Sequence, residues 1–234
     1  MHSTPDTKLS SKRLVWGLFG WMIILGLNYG CQTPVYVTET SSELANFEKI
    51  LVVPFQDMTR IPGNDVDTRC PVCGRVFISG EVADNATDFL TAQTTALLKR
   101  HSAYQLVFEG LTDSSMDHLY SANPTANGSR QAFVEKGREN NADVVLLGLV
   151  YRFKERVGTG YSVELPASVA FGMHLIRVTD GRTLWSAHFD ETQKALGDNL
   201  FQLGSFLSRG GRWVTVEELA TSGLEEIFKK FPQK

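Results

Sequence analysis

Every odd position from Val163 through Leu165, Ala167, Val169, Phe171, Met173 and Leu175 is apolar, and after Asp180-Gly181 the odd residues Trp185, Ala187 and Phe189 are apolar again. A period of two sustained over this length marks a half-buried strand, so the segment predicts an antiparallel hairpin with one core face. The register follows from asking which turn joins the apolar faces. A two-residue loop at Asp180-Gly181 sets Leu175 against Ser186 and Met173 against His188, mixing core with solvent. A three-residue loop 179–181, with Gly181 left-handed, pairs Leu175 with Trp185, Met173 with Ala187 and Phe171 with Phe189. The second register is expected, with Pro166 marking an edge, bulge or bend.

Other elements follow from the same kind of pattern. Val144-Val145-Leu146-Leu147-Gly148-Leu149-Val150-Tyr151 is apolar on both parities, as in a strand covered on both faces at the centre of a sheet. Ile50-Leu51-Val52-Val53-Pro54-Phe55 reads as a buried strand with Pro54 at its exit. Asn85 and Asp88, spaced as a capping pair, open a helix of about sixteen residues whose stripe is Ala86, Leu90, Thr94, Leu97 and Leu98. A short strand at 104–108, a turn-rich stretch at 110–128, a second helix at 131–141 and a helical turn or two at 198–207 follow. Thr215 and Glu218, in capping-box spacing, open a last helix over 216–231. Residues 56–83 lack periodicity and read as a long loop. This order predicts an α/β fold: a two-layer or three-layer sandwich with a mixed sheet, a C-terminal antiparallel hairpin and a terminal helix.

The N-terminal segment says where the domain works. A polar start ending in Ser11-Lys12-Arg13, an apolar run over 14–27 and then Asn28-Tyr29-Gly30-Cys31 are the blocks of an export signal. The run holds 14 residues, short of the roughly 17–25 that a spanning helix needs. Leu27-Asn28-Tyr29-Gly30-Cys31 resembles the lipobox of bacterial lipoproteins, which implies cleavage before Cys31 and acylation, palmitate included, of its sulfur and new N-terminus. Asn28 and Tyr29 depart from that pattern. By the sorting rule of such lipoproteins, Gln32 after the cysteine implies the outer membrane, facing the periplasm. The expected organisation is a signal peptide at 1–30, the acylated Cys31 with a flexible tether to residue 46, and a periplasmic α/β domain from 47 to 234. Fully extended, residues 32–46 span about 50 Å. Removal of residues 1–30, net +2, takes the formal charge of −3 to −5, which gives no electrostatic reason to bind nucleic acid.

The opening strand Ile50-Leu51-Val52-Val53-Pro54-Phe55, the entry Ala142-Asp143-Val144-Val145-Leu146-Leu147-Gly148 and the hairpin Val178-Thr179-Asp180-Gly181-Arg182-Thr183-Leu184-Trp185-Ser186 look similar to the α/β domain of small bacterial envelope lipoproteins. That group includes the penicillin-binding-protein activator and curli-secretion lipoproteins. The resemblance covers roughly 48–230 and implies a non-enzymatic protein that binds or assembles with envelope proteins, itself included as a homo-oligomer. The short tether argues against an activator reaching out to wall synthases, and the resemblance implies no role for Cys70 and Cys73.

Cys70-Pro71-Val72-Cys73-Gly74 is the sharpest chemical motif. Two thiols two residues apart in a Pro/Gly turn have the shape of half a zinc knuckle; in an oxidising compartment they equally form a disulfide, and a redox pair shares the spacing. No second cysteine pair exists in the mature chain, so no cofactor is expected beyond a zinc completed by other residues. The hairpin register puts His174 and His188 diagonally on one face, where two imidazoles can close on an ion; the plainer reading is that both occupy the less apolar face of the sheet. Arg209, Arg212 and Trp213 form a basic and aromatic cluster suited to a partner surface. Gly158-Thr159-Gly160 reads as a turn, and no serine lies in a nucleophile elbow, so nothing specific points to an enzyme.

Overall fold

The computed structural model describes residues 35–39, 47–60, 67–101, 103–108, 126–160, 162–193 and 212–232. By its contacts the chain divides into Met1–Gln32 and Thr33–Lys234, and all described residues belong to the second unit. Cys31, the signal segment 1–30, Arg209 and the turns expected at 198–207 lie outside them.

The elements in chain order are β1 (Val35–Glu39), β2 (Lys49–Val52), β3 (Gln56–Asp57), a 3-10 turn (Met58–Arg60), β4 (Asp67–Arg69), β5 (Val76–Ile78), α1 (Ala86–His101), β6 (Gln105–Phe108), α2 (Ala126–Glu139), β7 (Val144–Lys154), β8 (Val157–Gly158), β9 (Val163–Leu165), β10 (Ser168–Arg177), β11 (Thr183–Thr192) and α3 (Val216–Phe228). A seven-stranded mixed sheet runs β1-β11-β10-β7-β2-β6, with β3 paired to β7. β2 lies parallel between β6 and β7, while β10 is antiparallel to β7 and β11. The α/β architecture with a mixed sheet, an antiparallel hairpin and a terminal helix is the one the periodicities predict.

The expected hairpin register holds, with Leu175 opposite Trp185, Met173 opposite Ala187 and Phe171 opposite Phe189. Gly181 is left-handed at φ 71°, but the turn holds four residues, 178–181, closed by Arg177 N–H to Arg182 O, not the three expected, and a register shift between Leu175 and Ile176 restores the expected pairing beyond it. Pro166 separates β9 from β10, the break its missing N–H imposes. Thr215 caps α3 through both arms of the capping box, and the predicted α1 stripe of Ala86, Leu90, Thr94, Leu97 and Leu98 is buried.

Each sheet face has its own core. On one side α1 and α3 cover Ile50, Val52, Leu146, Phe171, Met173, Leu175, Trp185, Ala187 and Phe189. On the other, α2 and the β4–β5 hairpin cover Leu51, Val145, Leu147, Leu149, Tyr151, Ala170 and Ile176. Gly148 has no Cβ because one would fall 2.5 Å from the Phe55 ring. Asp143, just before β7, accepts from the backbone N–H groups of Glu48 and Lys49 at 2.9 Å each, which locks the entries of β2 and β7 together.

Four expectations need correction. The tether assigned to 31–46 is not featureless: Val35–Glu39 is the edge strand of the sheet, with Val35 buried opposite Phe189. The loop at 56–83 contains the β4–β5 hairpin, whose three-residue strands are too short to register as a period. α2 begins at 126, inside the stretch read as turns, because its Asn and Gly residues mimic a loop. Finally, β10 is buried on both faces rather than one; the even face is closed by the hairpin from the segment read as loop.

Candidate functional site

The hairpin β4–β5 folds over the even face of β10 and β11, and its tip is the turn Cys70-Pro71-Val72-Cys73-Gly74. Its backbone closes on itself: Cys70 N–H donates to Arg75 O at 2.7 Å, Gly74 N–H to Cys70 O at 2.9 Å, and Gly74 takes φ 76°, a value open mainly to glycine. The Cys73 N–H points at Cys70 Sγ, 3.5 Å away. Phe77 stacks on Tyr151 with ring centroids 4.0 Å apart and fastens the hairpin to β7. Cys70 is buried, Cys73 exposed, and both are free thiols.

Beneath the turn lie the two histidines that the register placed together. Cys70 Sγ is 3.3 Å from His174 Nε2, and Cys73 Sγ is 3.6 Å from His188 Nε2. The two imidazole centroids are 5.3 Å apart. Cross-strand pairing supplies each ring with its neighbour: His174 stands opposite Ser186, and His188 opposite Gly172. Ser186 Oγ lies 2.9 Å from His174 Nδ1. A Cβ on Gly172 would sit 3.0 Å from His188 Nδ1 and 3.3 Å from His174 Nε2, so the glycine leaves the room both rings occupy. The hairpin register made His174 and His188 legible in the sequence; the same pairing names Ser186 and Gly172, which sequence reasoning passed over.

The electrostatics set Cys70, Cys73 and His188 apart from one another. The hydrogen bond from Cys73, then His174, holds the Cys70 thiol well below its ordinary range against the opposing effect of burial. Cys73 is pushed the other way, first by donating to Cys70, then by burial. Burial, then the nearness of His174, brings His188 down to about 4, so its imidazole is neutral at pH 7. His188 Nδ1 is buried without a hydrogen-bond partner.

The second candidate site sits elsewhere. Arg212 forks onto Glu218, at 2.5 and 3.1 Å, and so reinforces the α3 cap. Trp213 is half-buried; its N–H donates to Gly160 O and its carbonyl accepts from Arg156. Gly158 and Gly160 flank the β8–β9 turn, as expected.

No protein-family model matches the sequence, and no curated protein matches it. Among solved structures, the chain is similar to the PelC dodecamer from Paraburkholderia phytofirmans (TM-score 0.49, 14% identity, covering 86% of this chain and 97% of that one). It is also similar to lipoprotein GNA1162 from Neisseria meningitidis (0.35, 17%, 70% and 98%) and to the LpoB C-terminal domain from Escherichia coli (0.32, 17%, 62% and 83%). Identities and TM-scores this low decide nothing about function.

Proposed function

We propose that this chain is a lipid-anchored protein of the bacterial outer membrane, facing the periplasm, whose α/β domain is a non-enzymatic binding or assembly module. The observation that carries the reading is the position of β1. Val35 already pairs with Phe189 in the sheet, and only four steps of chain, about 13–14 Å at full extension, separate it from Cys31. A signal segment, an acylated Cys31 and a sheet that starts almost at once describe a domain held against its membrane, where it meets other envelope proteins. Removing the initial thirty residues and acylating Cys31 gives it that address; three acyl chains anchor where one would not. Arg209, Arg212 and Trp213 are the partner surface to test first, by crosslinking from intact membranes.

The experiment is mass spectrometry of the membrane-extracted protein together with fractionation of a Cys31→Ser variant. The expected result is a mature chain beginning at an acylated Cys31, with the variant failing to mature. Intact protein in the cytosol, still carrying residues 1–30 and no acyl chains, would overturn the reading. A second reading, a metal-binding or thiol-redox protein centred on Cys70 and Cys73, is favoured by the meeting of both sulfurs with imidazoles. Replacing both cysteines by serine separates the two: partner binding survives under the first reading and function is lost under the second.

A further inference from the structure

We infer that Cys70, Cys73, His174 and His188 form a tetrahedral Cys2His2 site for one zinc ion, which pins the β4–β5 hairpin to the sheet. The inference rests on the metal reading of the cysteine pair and is independent of the lipid anchor.

Distances come first. Zinc bonds of about 2.3 Å to sulfur and 2.0–2.1 Å to nitrogen, set at tetrahedral angles, require sulfur–nitrogen edges of about 3.5 Å. The two sulfur–nitrogen contacts here are 3.3 and 3.6 Å. Ligand atoms of Cys70, Cys73 and His174 all lie within 4.8 Å of one another, and His188 joins through Cys73. The hairpin and the sheet thus bring three ligand atoms into one cluster, with the His188 imidazole beside it at 3.6 Å from Cys73 Sγ, from segments about a hundred residues apart in sequence.

A metal-binding histidine needs its other ring nitrogen held by a partner that fixes ring orientation and tautomer, and Ser186 stands at His174 Nδ1. The Cys73 N–H aimed at Cys70 Sγ, together with left-handed Gly74, is the amide support a bound thiolate takes. Gly172 has a bare backbone in a strand buried along nearly its whole length, where glycine weakens pairing and packs nothing; the two rings crossing it give it a purpose. A disulfide or a redox pair would use the sulfurs but leaves two buried histidines and this glycine without a role.

The donor set chooses the ion. Two soft sulfurs and two imidazoles in tetrahedral array suit zinc and disfavour magnesium or calcium, which take oxygen. Four protein ligands leave no corner for water or substrate, so the ion is structural and consistent with a non-enzymatic domain. Binding releases the cysteine thiol protons to solvent and changes no oxidation state.

The test uses the mature full-length protein, purified from membranes in detergent under reducing conditions. One zinc per chain should survive dialysis, and exchange into cobalt(II) should give the intense visible absorption of a tetrahedral thiolate complex. His188→Ala and His174→Ala should each weaken zinc binding by more than the roughly ten- to hundredfold expected for Ser186→Ala. Cys31→Ser should leave zinc content unchanged even where it abolishes anchoring, which keeps failure of the site distinct from failure of the anchor. Because Cys70→Ser can disturb the buried turn, the cobalt spectrum of the unaltered protein is the deciding measurement. An octahedral or absent spectrum with both thiols titrated as free would overturn the site, as would zinc retained undiminished in the His174→Ala/His188→Ala double variant. Loss of function in the cysteine variants of a metal-free protein would overturn it in favour of thiol chemistry.

Discussion

The two faces of the central sheet are closed by different means. Under α1 and α3 the sheet presents Phe171, Met173, Leu175, Trp185, Ala187 and Phe189, an unbroken apolar surface whose burial supplies about 1.5–3 kcal/mol for each large side chain. Under α2 and the β4–β5 hairpin, the same two strands present Gly172, His174, Ser186 and His188, all buried or packed beneath the hairpin. The hairpin covers them with Cys70, Val72 and Phe77, while Phe133 and Val134 of α2 and Met58 fill the rest of that core. The first face explains why the sheet holds together. The second buries an apolar core of its own, but over the histidines its closure adds specific contacts: the Phe77–Tyr151 stack and the sulfur–imidazole cluster.

This contrast can be broken from either side. Phe189→Ala, on the apolar face, should cost about 3–5 kcal/mol, read by urea denaturation, and the loss should be the same with or without a chelator; a loss under about 1 kcal/mol would mean that the apolar face does not dominate. On the other face, zinc at a thousandfold excess over its dissociation constant should add about 4 kcal/mol, and a chelator should remove that increment without unfolding the sheet. Equal melting temperatures in both conditions would contradict a metal clamp. Two glycines then sharpen the comparison. Gly223→Ala puts a Cβ 2.6 Å from the Phe189 ring and should cost about 1–3 kcal/mol by overpacking while leaving zinc affinity unchanged. Gly172→Ala, with its Cβ against both imidazoles, should do the reverse, chiefly weakening zinc in a competition titration.

The smallest effect belongs to neither face. Arg212, then the Thr215 N–H, lowers the Glu218 carboxyl below the ordinary glutamate range. A depressed carboxyl contributes stability that is present above its unfolded value and lost as pH falls through its folded value. Acidification below about pH 4 should therefore loosen the α3 start slightly, an effect absent in Glu218→Gln and resolved by comparing melting curves. Thr215→Ala, which removes the other arm of the cap, should cost about 1 kcal/mol at neutral pH.

What could be read in the sequence follows the same division. The apolar face announces itself, because Phe171, Met173, Leu175, Trp185 and Phe189 repeat at period two and only one register joins them. The α1 stripe and the α3 cap were legible for similar reasons, since both are local patterns. The histidine face was half legible: the register placed His174 near His188, yet nothing local shows that residues 67–78 return to cover them. Phe77 and Cys70 meet β7 and β10 through long-range contacts, and three-residue strands leave too little pattern to find. β1 was missed because Val35-Tyr36-Val37-Thr38 is an edge strand that gains its energy from β11, about 150 residues away.

That last pairing also governs the order in which the fold can assemble. Synthesis proceeds from the N-terminus, so Val35–Glu39 emerges well before its partner β11. Closing so long a loop is slow compared with local hairpins and helices. Until Thr183–Thr192 arrives, the leading strand has no template, and afterwards β11 presents a vacant edge that any similar segment can occupy. The nascent polypeptide thus completes its sheet only after nearly the whole domain has been made, which ties the pairing of its first strand to the last hairpin.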